Sequence, residues 1–140
     1  MKRNRIFLIV LILFINSLAL SQIAIITNKS VTNRTLSREN VIDIYSLNSQ
    51  NWSDGTKIIV TDYKGDSETK NKFYGFLDFP FAKMQKLWLK KQFSGAGMPP
   101  QSYHSAKEII EKVISTPGAI GYIPSSLATK EVNVVLVFSN

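Results

Sequence analysis

A helix that runs into Ser115-Thr116-Pro117-Gly118 has to stop there, because proline cannot continue it and glycine supplies the backbone freedom of a helix end. Directly after it, Ala119-Ile120-Gly121-Tyr122-Ile123 forms an apolar run with a glycine inside it. Such a run reads as a buried strand, and its glycine marks a bulge or a place where another element comes close to the backbone. A helix delivered at once into a buried strand is the unit of a layered α/β fold, which becomes the expectation for the rest of the chain.

The amino terminus predicts export. Lys2, Arg3 and Arg5 precede an unbroken apolar run from Ile6 to Ile15, and Ala19-Leu20-Ser21 forms a small-residue cleavage site that would leave Gln22 first. The alternative is an uncleaved anchor, but Asn16 and Ser17 interrupt the run short of the about 20 residues that a span needs. The expectation is a signal peptide over residues 1–21, a single domain over 22–140 and a periplasmic product. The absence of cysteine excludes a disulfide framework, thiol catalysis, thiolate metal sites and a lipidated cysteine. The formal charge of +7 becomes +4 once Lys2, Arg3 and Arg5 are removed, which mildly favours anionic partners, and export argues against nucleic acid among them.

Along the remaining chain short β-like runs alternate with helical patterns. Ile23 to Thr27 reads as a buried strand, and Val41, Ile42, Ile44 and Tyr45 recur at helical spacing after Ser37, a helix-capping residue. Trp52-Ser53-Asp54-Gly55 is turn chemistry, and Lys57 to Thr61 reads as a second buried strand. After Gly65, Asp66 or Ser67 can cap a helix that ends near Leu77 with Phe73 and Phe76 inward. The next helix, about Phe81 to Gln92, should bury Phe81, Met84, Leu87 and Trp88 and carry Lys83, Lys86 and Lys90 outside, as a solvated face or a docking patch. Phe93 to Pro100 reads as a loop; it comes after a helix, so it is no nucleotide fingerprint. Ser105 and Glu108 suggest a capping box, Ser125 to Ala128 one helical turn, and Val132 to Phe138 a last buried strand.

An anion-binding chemistry is best placed where a Gly-containing loop enters a helix, since free amides and the helix dipole both favour negative charge there. Gly65 to Thr69 supplies that setting: Ser67 and Thr69 add hydroxyls, and Lys64 and Lys70 add charge. The competing reading is that Asp66 or Ser67 only caps the helix. Catalysis finds little support, for His104 is the one histidine and Ser102 and Ser105 beside it cannot both aim at it. Asp62, Asp66 and Glu68 depart from calcium-loop spacing and read as turn and cap residues, so no metal or other cofactor is expected.

Taken in order, these motifs resemble the second lobe of the phosphate-binding proteins of bacterial ABC importers. The apolar strand ending at Asn28, the helix ending in Ile44-Tyr45, the Trp52 turn, the helix start with Ser67 and Phe73 six residues on, and Pro117 to Tyr122 share that family's order and spacing. The resemblance implies a single periplasmic-binding-protein-like lobe of type II, an α/β fold with a mixed sheet flanked by helices. It further implies no enzyme, but phosphate or a related oxyanion bound by Lys64, Ser67, Glu68 and Thr69, with an ABC importer as partner. The chain departs from the family at Tyr63, where an arginine clamps phosphate, and at Glu68, where a glycine stands. With only one lobe represented, charge-assisted bonds of about 1.5–3 kcal/mol each should leave about 4–6 kcal/mol after association costs, or millimolar to tens-of-micromolar binding. A homodimer would complete such a site, and the alternative function is a docking module that kept the scaffold without a small ligand.

Overall fold

A computed structural model describes residues 22–139; the expected signal peptide lies outside the described residues. Five strands and four helices succeed one another as β1 (Ile23–Thr27), α1 (Arg38–Tyr45), β2 (Ile59–Tyr63), α2 (Glu68–Leu77), α3 (Phe81–Phe93), β3 (Gln101–Tyr103), α4 (Ala106–Ser115), β4 (Ala119–Pro124) and β5 (Asn133–Phe138), with a 3-10 turn at Ser125–Leu127. The strands form one mixed sheet in the order β3-β2-β4-β1-β5. β2 runs parallel to both β3 and β4, whereas β1 is antiparallel to β4 and β5.

Helices cover both faces of this sheet. Gly121 of β4 meets Ile109 and Val113 of α4 on one side, while the next residue, Tyr122, points to the other and stacks on Phe73 of α2 at 3.7 Å between ring centroids. Tyr45 of α1 joins that second cluster, 4.7 Å from the Phe73 ring. β1 is buried along its whole length and β4 along all but its last residue, which is why they read as continuous apolar runs rather than alternating ones.

The Pro117-Gly118 stop has a defined purpose. Gly118 has φ of +78°, and a Cβ there would lie 2.2 Å from the Lys57 carbonyl oxygen. Its own carbonyl accepts from Trp52 Nε1 at 2.9 Å and from the Ile59 amide at 3.1 Å, so one glycine joins the Trp52 turn to the start of β2.

Two local expectations need correcting, and one strand was not expected at all. The second strand starts at Ile59 rather than Lys57, because Lys57 pairs back across the turn with Asn51 before the Ile59 amide bonds to Gly118. The last strand is an edge, with Val134 and Val137 over two-fifths exposed and Val135 and Phe138 buried, so it is half-buried rather than wholly inside. β3, short and polar, has no apolar signal in the sequence and exists through its pairing with β2.

Candidate functional site

The carboxyl end of β2, the loop Lys64-Gly65-Asp66 and the first two turns of α2 surround a cavity of about 520 Å³, with Phe81 and Gln85 of α3 and Ser102 of β3 on its far side. Gly65, with φ of +75°, reverses the chain out of the sheet, and Ser67 takes the extended backbone of a helix cap. The Ser67 hydroxyl oxygen accepts from the Lys70 amide at 3.1 Å. Serine therefore does cap α2, but a hydroxyl that accepts this bond still has its own proton to donate.

Lys70 is the buried cation of the site. Only 6% exposed, it donates from Nζ to the Tyr63 carbonyl oxygen at 2.9 Å and sits 3.6 Å from the centre of the Phe81 ring. The ring face and the carbonyl offset part of the cost of removing an ammonium from water, and Lys70 lines the cavity wall.

Beneath it Asp62 is fully enclosed. Tyr74 donates to Asp62 Oδ2 at 2.7 Å, Tyr122 donates to Oδ1, and the Tyr63 amide donates to Oδ1 at 2.8 Å. Burial pushes the Asp62 carboxyl above the usual carboxylate range, opposed in part by the two phenol bonds and the nearby Lys70 charge. The same burial and the Asp62 charge hold the Tyr74 and Tyr122 phenols well above theirs. Tyr63, which also lines the cavity, packs 5.1 Å from the Tyr122 ring, and its buried hydroxyl has no hydrogen-bond partner among the described residues.

Of the four residues expected at the site, Lys64 is exposed on the cavity rim. Ser67 and Thr69 are half-buried at the helix start but do not line the cavity, and the Glu68 carboxylate turns outward to Lys72 at 3.0 Å. The acids of this region are kept apart: Asp62 lies under the phenols, Asp66 on the rim and Glu68 with Lys72. Sequence reasoning missed Asn71, Gln85 and Ser102 on the cavity wall; the last two come from other elements, and no spacing along the chain links them to Lys64. Around His104, the Ser105 hydroxyl caps α4 by accepting from the Glu108 amide at 3.2 Å. The Glu108 carboxylate accepts from the His104 amide at 2.8 Å rather than from Ser105, so the expected capping box closes one residue early.

No protein-family model matches the chain, and no curated protein matches it. Solved structures do. A phosphate-bound structure assigned as a phosphate ABC transporter substrate-binding protein from Clostridium perfringens superposes with a TM-score of 0.69 at 23% identity, over 83% of this chain and 45% of that one. An ABC-type phosphate transport receptor from Vibrio cholerae gives 0.65 at 19% identity, over 83% and 47%. PstS from Borrelia burgdorferi gives 0.64 at 21% identity, over 82% and 47%. The fold is thus that of these substrate-binding proteins, as the five motifs led us to expect, and the chain spans less than half the length of each.

Proposed function

We propose that this chain is an exported substrate-binding-like protein that binds phosphate or a related oxyanion at the start of α2, in the service of an ABC-type importer. The observation that carries the reading is the Lys70 ammonium, buried on the wall of the cavity of about 520 Å³ and joined on its rim by Lys64. It supplies the positive charge for which the family uses an arginine at the position of Tyr63. The Ser67 and Thr69 hydroxyls and the first amides of α2 would donate to the anion from the helix end. Glu68 opposes binding least when its carboxylate stays with Lys72, as it does here. The fold shared with a phosphate-bound structure supports the ligand class.

The test is calorimetric titration with phosphate, sulfate and arsenate at low salt, comparing wild type with Lys70→Met and Ser67→Ala. Saturable binding with a dissociation constant between about 10 μM and 1 mM is expected. Lys70→Met should weaken it at least about tenfold, the equivalent of one charge-assisted bond. Affinity unchanged in both variants would remove the site from the start of α2. A second reading, a docking module without small ligand, is favoured by the absence of Ser67 and Thr69 from the cavity wall; no binding at millimolar phosphate would decide for it.

A further inference from the structure

We propose that the outer face of α3, together with the loop after it, docks on an anionic lipid bilayer surface. At about 3.6 residues per turn, Ala82, Lys86, Leu89 and Phe93 fall on one stripe, opposite the buried Met84 and Trp88. Leu89 is 51% exposed and Phe93 87%, and Met98 in the loop is 68% exposed. Pro99 lies with Ala82, Lys86 and Leu89 around one depression, which brings the loop back onto the same face. Lys83 and Lys90 lie together along one side of the stripe, and both are exposed, as is Lys86. The neighbouring Lys91 is committed elsewhere, donating to the Leu47 carbonyl oxygen at 2.9 Å and to Asn48 Oδ1 at 2.7 Å.

Charge selects the occupant. α3 contains no acidic residue, and among the described residues no carboxylate pairs with Lys83, Lys86 or Lys90. A second copy of this face would set lysine against lysine, so self-association through it is disfavoured. A surface of phosphate headgroups complements all three lysines at once. Phe93, the most exposed apolar side chain of this face, does not line that depression, and an acyl boundary receives an exposed phenylalanine and methionine at a depth of about 5–10 Å without a preformed partner. No helix among the described residues is long and apolar enough to cross a membrane, so the contact would be peripheral. This inference is independent of the anion site.

The chain has no cysteine, so Gln92→Cys carrying an environment-sensitive fluorophore reports on the surroundings of Phe93 in the full-length protein. Glu111→Cys, on the exposed side of α4, is the reference position. Both labelled proteins share the apolar run from Ile6 to Ile15, so binding through that run gives no difference between them. With equimolar phosphatidylglycerol and phosphatidylcholine vesicles, the label at 92 should shift to shorter wavelength and the label at 111 should not. At about fivefold per lysine, the combined Lys83→Glu, Lys86→Glu and Lys90→Glu variant should bind at least about 100-fold more weakly, as should wild type to phosphatidylcholine alone. Leu89→Ser with Phe93→Ser should abolish the shift. No response at 92, an equal response at 111, or binding indifferent to lysine reversal would overturn the proposal. An acidic protein as the true partner would show itself as the first of these.

Discussion

Gly121 and Asp62 show how single residues fix this fold. A Cβ at Gly121 would fall 2.6 Å from Thr61 Oγ1 and 2.7 Å from Ile109 Cγ2, between β2 and α4. Thr61 cannot swing away without giving up the 2.9 Å bond that its hydroxyl donates to the Ile120 carbonyl. Gly121→Ala should therefore cost about 1–3 kcal/mol by overpacking, read as a lower urea midpoint at unchanged slope; a loss under about 0.5 kcal/mol would mean that α4 yields freely. Asp62 acts through protonation. Because its folded-state pKa lies above the ordinary value of about 3.9, the folded chain holds that proton longer than the unfolded chain does. Its contribution to stability is fully present below that ordinary value and declines as pH rises toward the folded pKa. The stability of wild type relative to Asp62→Asn should accordingly fall between about pH 4 and pH 7. Denaturant melts at the two ends of that range check this, and a relative gain for wild type at pH 7 would show that the phenol bonds outweigh burial.

At the scale of elements, β5 separates what its residues do individually from what the strand does. Its pairing with β1 shifts between Ile25 and Ile26, which leaves Val135 as the extra residue, its carbonyl accepting from the Leu36 amide at 3.0 Å. Val135 is buried and Val137 is not. Val135→Ala should lose about 1–3 kcal/mol, whereas Val137→Lys should change stability by less than about 0.5 kcal/mol and make the exposed edge less prone to pair with other chains. Thermal melts and light scattering distinguish the two effects, and an equal loss for both would mean that the outer face is covered. The same strand marks the limit of what the sequence revealed. Val132 to Phe138 is apolar at nearly every position, so periodicity had no means of telling an edge from a centre; only the sheet order does. Where the signal was chemical rather than periodic it carried through. Ser37 caps α1, Ser67 caps α2, and Pro117-Gly118 ends the segment before β4 as their residue types require. The helix start at Glu68 was legible for that reason, whereas the cavity beside it was not: Gln85 and Ser102 reach it only through packing.

For the molecule as a whole, the question is how much binding the proposed anion site would express. The chain superposes on less than half of each matched substrate-binding protein. If the proposed site holds an anion from one side, the anion keeps part of its hydration, and the net affinity should lie in the micromolar-to-millimolar range rather than at the nanomolar end. A ligand that binds only the folded state raises stability by RT ln(1 + [L]/Kd). For a dissociation constant of about 1 mM, 10 mM phosphate adds about 1.4 kcal/mol, or an increase of about 5 °C in melting temperature for a domain of this size. Chloride at matched ionic strength should add little, because it screens the lysines without accepting several hydrogen bonds at once. Lys70→Met should melt with little dependence on phosphate, while the α3 lysine reversals should retain the full shift, since Lys83, Lys86 and Lys90 do not line the cavity. If instead the α3 variant loses the shift and Lys70→Met keeps it, phosphate is being gathered by the surface field of the lysine face, and the start of α2 serves the fold alone.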